Sequence, residues 1–244
     1  MGEPIPHEVG GYVLAGGKSS RMGRDKALLE LAGEPLIRHA VKKLRRVCMD
    51  VRILTNNEEL ATFAPIVRDI HPDCGPMSAM EAGLRHSIFE WNLFMAVDMP
   101  FVPSAFLFSW LRRSLAAKKN EVFGAARVQM FEADGSPQPG LCLLHKGVAP
   151  FLTEALERGD YKLTPVLRAA GQALADRDGF LPGRGGFFCL PLVEFGGSER
   201  GLGMDEDWMN TTEAQQQAFP LWFANLNTPE ELAEAEQHLD ALDT

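Results

Sequence analysis

A short apolar strand, Gly11-Tyr12-Val13-Leu14, runs directly into the string Ala15-Gly16-Gly17-Lys18-Ser19-Ser20-Arg21-Met22-Gly23-Arg24-Asp25-Lys26-Ala27-Leu28-Leu29. This junction limits the fold more than any other stretch. Paired glycines after a buried strand let the backbone turn sharply and approach a ligand closely, because they lack a Cβ. Successive N–H groups in such a turn make an anion-binding nest. Arg21 and Lys26 bring positive charge to the same place, one as a planar fork and the other as a point charge. Together these parts suit the holding of a nucleoside triphosphate for attack at phosphorus. The string fits neither the P-loop, G-x-x-x-x-G-K-[ST], nor the dinucleotide fingerprint, G-x-G-x-x-G.

Downstream, strand and helix patterns alternate, which predicts an α/β fold: one Rossmann-like three-layer domain over residues 1–244, with a mainly parallel sheet covered on both faces. Apolar spacing predicts a helix over 35–47, and 51–55 reads as the second strand. Asn56-Asn57 ends that strand and starts a short helix over 58–62. A short strand over 65–69 precedes a helix that opens at Gly75-Pro76 and runs through Leu84. Leu93-Phe94-Met95-Ala96-Val97 is a continuous apolar run, as expected of a central strand buried on both faces. A helix over 104–117 follows, then strands over 122–128 and 140–145 with a turn at 133–137 between them. The pattern next predicts a helix over 148–158, and Thr164-Pro165 as N-cap and first helical residue of a segment through Ala170. A strand over 187–192, a long Gly-rich acidic loop over 194–215 and a last strand over 221–224 come after it. Thr228-Pro229-Glu230-Glu231 reads as a capping box that launches a helix through Leu242.

Charge is unevenly spread. The chain carries a net −9, which argues against a general nucleic-acid binder. Residues 18–52 nevertheless hold ten Lys/Arg against four Asp/Glu, next to the glycine loop where a polyphosphate needs them. Lys42, Lys43, Arg45 and Arg46 read as a solvated helix face. Cys48, Cys74, Cys142 and Cys189 form no C-x-x-C pair, so a zinc site of usual spacing is unsupported and buried reduced thiols are expected. Residues 1–9 lack the apolar core of a signal peptide, and no stretch approaches the roughly 20 apolar residues that span a bilayer. These features predict a cytoplasmic protein, without membrane or nucleic-acid partners.

The string from Leu14 to Leu29 resembles the signature of the MobA-like nucleotidyltransferases, L-A-G-G-x-S-x-R-M-G-x-D-K-x-L-L, and within them the molybdenum cofactor guanylyltransferases. Four further segments match that family in order. Asp98-Met99-Pro100-Phe101 follows the central strand, where a carboxylate points into the crevice at which open α/β sheets bind ligands. Asp73-Cys74-Gly75-Pro76-Met77-Ser78-Ala79-Met80 corresponds to G-P-L-x-G, with Ser78-Ala79 in place of the common Ala-Gly. Asn56 and Asp69 follow the second and third strands. Asn225-Leu226-Asn227-Thr228-Pro229-Glu230-Glu231-Leu232 corresponds to N-x-N-T-P-E-E-L, and on a strand end the two asparagines would share a side.

The resemblance implies the fold of nucleotide-diphospho-sugar transferases and transfer of GMP from GTP to the phosphate of molybdopterin, or Mo-molybdopterin, with pyrophosphate leaving. It implies Mg²⁺ held by Asp98. Leu14, Ala15, Gly16, Gly17, Lys26, Asn56, Asp69, Gly75 and Asp98 are expected to bind the nucleotide. Arg21, Lys26 and Asp98 are expected to serve the chemistry, and Asn225 and Asn227 the pterin side. Partners then extend to molybdenum-insertion proteins and molybdoenzyme chaperones. The alternatives are cytidylyl transfer to the same pterin, a nucleotidyltransferase for another small phosphorylated acceptor, and a non-catalytic carrier of GTP or pterin.

Overall fold

The structure, a computed structural model, describes residues 8–16, 25–116, 126–133, 135–179, 186–191 and 211–243. Nine strands lie among them: β1 (Val9–Leu14), β2 (Glu30–Leu31), β3 (Glu34–Pro35), β4 (Asp50–Leu54), β5 (Ile66–Val67), β6 (Trp91–Ala96), β7 (Val128–Ala133), β8 (Ser136–His145) and β9 (Phe187–Pro191). β2 and β3 form a separate antiparallel ribbon, and the other seven make one sheet in the order β5-β4-β1-β6-β8-β7-β9. β5, β4, β1 and β6 are parallel, β8 runs against both β6 and β7, and β9 is parallel to β7. The sheet is therefore mainly parallel, as the alternating pattern requires. Leu14 pairs with Leu54 and Ala96, and Leu54 pairs with Val67, so four strands end on one edge.

Alternation along the strands gives the sheet two apolar faces. Val9, Val13, Ile53, Leu93, Met95 and Leu143 pack against α1 (Leu36–Arg45) and α3 (Ser104–Ala116). Tyr12, Leu54, Phe94, Met130 and Leu144 pack against α2 (Pro76–His86), α4 (Ala149–Glu157) and α5 (Leu163–Arg177). This is the predicted three-layer arrangement. All four cysteines are free thiols, and burial pushes those of Cys48 and Cys142 far up. Among the described residues no helix is long and apolar enough to cross a membrane.

Several expectations need correction. Residues 121–125 lie outside the described residues, and the strand expected over 122–128 instead starts at Val128 and continues to Ala133. Its partner begins at Ser136 rather than Gly140, directly after Gly135 at φ +70°. Pro137 and Pro139 are tolerated because β6 pairs with β8 only over Leu141–His145, so the earlier half of β8 has one open side. The helix expected from Thr164 begins at Leu163 with Lys162 as its N-cap, and it reaches Arg177.

The chain also departs from expectation near its end. Of the loop over 194–215, residues 194–210 lie outside the described residues, but α6 (Glu213–Gln217) forms behind a capping box made by Thr212 and Gln215. No strand forms over 221–224. A 3₁₀ turn, Phe219–Leu221, leads into Trp222 and Phe223, whose rings join Phe106 and Phe131 in the core. An apolar run of four cannot by itself distinguish a strand from a tightly packed turn. The expected capping box at Thr228 does form and starts α7 (Pro229–Ala235), which passes into a 3₁₀ segment, Glu236–Ala241, with non-helical φ/ψ at His238. Lys43 is not solvated: it is 2% exposed and paired with Asp243 at 3.1 Å.

Candidate active site

The strand order reverses between β1 and β6. The chain moves outward from β1 to β4 and β5, then returns to place β6 on the other side of β1. Crevices at such switch points are where open α/β sheets take ligands. Lys26 reaches this crevice on a short 3₁₀ turn, Lys26–Leu28. Asp25 caps the turn, its Oδ1 accepting from the Ala27 N–H at 3.0 Å. Asp25 Oδ2 accepts from Asn57 Nδ2 at 2.7 Å, and Asn57 Oδ1 accepts from the Glu59 N–H at 3.0 Å. The arm carrying Lys26 is thus tied to the end of β4. Sequence reasoning did not assign Asp25 and Asn57 this role. The available signals were the Asp before Lys26 in the motif and the second Asn after the strand.

At the crevice Lys26 Nζ donates to Asp98 Oδ2 and, at 2.6 Å, to Asn227 Oδ1. The Lys26 and Asp98 side chains are 18% and 14% exposed. The other carboxylate oxygen, Asp98 Oδ1, is buried and makes no hydrogen bond. A buried carboxylate oxygen without a partner is costly, which marks it as a place for a cation or a donor from outside the chain. Among the described residues no three His, Cys, Asp or Glu side chains cluster to hold a metal alone. Mg²⁺ does not require such a cluster, because it is commonly held by one or two carboxylates plus substrate phosphates.

The segment bearing Asn227 is fixed from both ends. The Leu226 N–H donates to the Asp98 carbonyl at 3.1 Å, which stitches the chain's last part to the end of β6. Glu231 Oε2 accepts from the N–H groups of Asn227 at 2.5 Å and Thr228 at 2.9 Å. Upstream, Trp222 is buried and donates through Nε1 to the Gln215 carbonyl at 2.8 Å. Asn225 does not share a strand face with Asn227, because no strand forms there. Instead Asn227 Nδ2 donates to the Asn225 carbonyl at 2.9 Å. Both asparagines flank a cleft of about 290 Å³ whose walls include Leu221, Glu231 and Glu234.

A second group lies at the ends of β4 and β5. Asn56 Nδ2 donates to Asp69 Oδ2 at 3.4 Å, and the Asp69 N–H donates to Asn56 Oδ1 at 3.2 Å. Asp69 Oδ1 is buried without a hydrogen bond. Burial raises the Asp69 carboxyl above the ordinary value, and the Asn56 bond opposes that only in part. Gly75 begins α2 at φ +71°, with nothing within 4 Å of where its Cβ would stand.

Beside β1 the Leu14 carbonyl accepts from the Val97 N–H and the Ala15 N–H donates to the Leu54 carbonyl, both at 3.1 Å. A Cβ on Gly16 would meet only the Leu54 carbonyl at 3.8 Å, so the chain's own packing does not require glycine there. Gly17 and Arg21 lie outside the described residues. The structure therefore brings Lys26, Asp98 and Asn227 together, pairs Asn56 with Asp69, and keeps these two groups on the same edge of the sheet.

Comparison with known proteins identifies the family. The model of the MobA-like NTP transferase domain matches residues 11–174. A molybdenum cofactor guanylyltransferase of Serratia proteamaculans is 37% identical over 170 residues, 67% of this chain and 81% of that protein. A protein of the same name from Vibrio parahaemolyticus is 30% identical over 233 residues, 94% of this chain and 95% of that protein. Among solved structures, molybdopterin-guanine dinucleotide biosynthesis protein A from Archaeoglobus fulgidus superposes with a TM-score of 0.67 at 21% identity, over 96% of this chain and all of that one.

Proposed function

The chain belongs to the MobA-like NTP transferase family, and on that premise we propose that it transfers GMP from GTP to the phosphate of molybdopterin. The observation that carries the reading is the bridge of Lys26 between Asp98 and Asn227 at the strand-order reversal. One lysine there touches the carboxylate of the nucleotide side and the amide of the cleft beside it. The relatives' names, molybdenum cofactor guanylyltransferase, support guanylyl transfer within molybdenum cofactor synthesis, and the buried unpartnered oxygens of Asp98 and Asp69 support the chemical fit.

In the proposed reaction a terminal phosphate oxygen of the pterin forms a bond to the α-phosphorus of GTP. The bond from that phosphorus to the bridging oxygen breaks, and pyrophosphate leaves with the electron pair. No protein nucleophile is needed, because positioning and charge neutralisation carry phosphoryl transfer. Lys26 neutralises charge that builds on the phosphates. Asp98 offers Oδ1 to Mg²⁺, which when bound supplies further positive charge to the phosphate oxygens. Asn227 holds Lys26 in place and faces the acceptor cleft. Asp69 accepts from the ring N–H and amino group of guanine, two donors that a carboxylate matches and that cytosine does not present as a pair.

The test is direct. The protein is given Mg²⁺, molybdopterin, GTP and CTP together, and the dinucleotide is identified by mass. A GMP adduct that vanishes in Asp98→Ala supports the reading. A CMP adduct moves the protein to cytidylyl transfer, and no adduct despite GTP binding removes the catalytic reading.

A further inference from the structure

Glu81 is an anomaly on α2, a carboxylate where the helix meets α4 and the loop before it. Its side chain is 1% exposed, and a buried carboxylate is costly unless its oxygens are met. Oε1 is well met: it accepts from Thr153 Oγ1 at 2.5 Å and from Arg85 Nε at 2.9 Å, and Arg85 Nη2 closes the triangle to Thr153 Oγ1 at 2.9 Å. That half of the group fastens α2 to α4. Oε2 makes no hydrogen bond and is faced by His71 Nε2 at 3.5 Å.

His71 belongs to the loop between β5 and α2, two residues after Asp69. Its N–H donates to Ser78 Oγ at 3.0 Å, so the loop is drawn onto α2 at both its backbone and its ring. The same loop carries Asp73 at φ +65° and Gly75 at φ +71°. A non-glycine residue in that region persists only when its surroundings hold it there. Asp69 itself has just two long bonds, both to Asn56.

We propose that Glu81 is a positioning residue for base selection. Through His71 it holds the loop over 69–75 against α2 and so fixes where the Asp69 carboxylate points. The inference rests on the reading that guanine is met at Asp69. A role in joining α2 to α4 alone would engage Oε1, Arg85 and Thr153 and leave Oε2 and His71 with no purpose.

The test compares GTP with inosine triphosphate, which lacks the 2-amino group, in Glu81→Leu, His71→Ala, Glu81→Gln and Thr153→Val, alongside hydrogen–deuterium exchange of the amides at 70–74. Glu81→Leu and His71→Ala should each lower the GTP-over-ITP ratio of kcat/KM roughly tenfold, through KM with kcat held within about twofold. Exchange at 70–74 should rise in both. Glu81→Gln, whose carbonyl meets Arg85 and Thr153 while its amide N–H faces a neutral His71 Nε2, should recover most of the ratio. Thr153→Val, which removes a partner of Oε1 but leaves Oε2 and His71 in place, should leave the ratio unchanged. An unchanged ratio in folded Glu81→Leu and His71→Ala overturns the proposal, as does a ratio that falls equally in Thr153→Val. If Glu81→Leu does not fold, His71→Ala and Glu81→Gln decide. Wild-type protein with no preference for GTP removes the guanine reading, and exchange in the two variants then decides the loop-holding role alone.

Discussion

The two ends of this sheet edge differ in how far each has closed on itself. At the β1/β6 end, Lys26, Asp98 and Asn227 come from positions up to 201 residues apart and are joined by short, charge-assisted bonds. At the β4/β5 end, Asn56 and Asp69 are 13 residues apart and are joined at 3.2 and 3.4 Å. Bonds of the first kind are roughly twice as strong as neutral ones, and those of the second lie near the limit of what counts as a bond. Yet each end keeps one buried carboxylate oxygen without a partner, Asp98 Oδ1 and Asp69 Oδ1. The contrast fits two tasks. Transfer at phosphorus rewards a geometry built in advance. Selection among bases rewards an acceptor whose satisfaction depends on the right donor arriving.

The tight end is framed from outside by the chain's last residues, and breaking that frame should have the largest effect. Asp243 Oδ2 accepts from Lys43 Nζ at 3.1 Å and from the Ser104 N–H at 2.7 Å, and Oδ1 accepts from Gln215 Nε2 at 2.8 Å. It thereby joins α1, the start of α3 just beyond Asp98, and α6. Asp243→Ala leaves Lys43 buried without this partner and should lower unfolding free energy by about 3–5 kcal/mol in urea titrations. A loss under about 1 kcal/mol would show that the tail does not brace this end. Burial alone would raise the Asp243 carboxyl, but Lys43 and the Ser104 N–H hold it below the ordinary value. Its contribution is therefore full above the unfolded carboxyl value and is lost as pH falls through the lowered folded one. Asp243→Ala should remove that part of the acid sensitivity.

Within the frame, Lys26→Ala and Asp98→Ala should each lower kcat by roughly 10²–10³-fold while the urea midpoint stays near wild type. A folded, fully active variant of either would falsify its part in the chemistry. Asn227→Ala is milder, because it removes one of the bonds that hold Lys26. We expect a roughly tenfold loss in kcat. Equal losses in all three would mean that the bridge acts as a unit and the contrast between the ends is sharper still. No loss in Asn227→Ala would separate the acceptor side from the lysine.

How much of this was legible follows from where the information lies. The parallel half of the sheet was readable because β1, β4 and β6 are short local patterns, closed by glycines after β1 and by polar residues after β4 and β6. Lys26, Asp98 and the capping box at Thr228 were readable for the same reason: each belongs to a contiguous motif. The Trp222-Phe223 segment was misread because its burial depends on Phe106 and Phe131, more than 90 residues away. Lys43 was misread because helical spacing places it beside solvated neighbours, and only the chain's end shows that Asp243 covers it. The cooperation of Asp25 with Asn57, and of Glu81 with His71, depends on pairings across elements that a linear pattern does not display. The Gly17 and Arg21 assignments fall on residues that the structure does not describe.

The open end yields the smallest and most diagnostic effect. Asp69→Asn replaces a carboxylate able to accept two donors with an amide that offers one carbonyl, so GTP should lose roughly tenfold in kcat/KM while ITP loses less. The pH dependence gives the sign. Burial raises the Asp69 carboxyl, and only an ionised carboxylate can accept both donors of a guanine. The KM for GTP should therefore fall as pH rises through that raised value, and the step should be absent in Asp69→Asn. Folding runs the other way. A carboxyl raised in the folded state contributes stability below its unfolded value and loses it as pH rises through the folded one. Nucleotide binding that strengthens over the same interval in which the free protein loses stability would identify Asp69 as an acceptor kept for the base. If KM follows pH identically in wild type and Asp69→Asn, the carboxylate that reads the base lies elsewhere, and the β4/β5 end of the edge is structural.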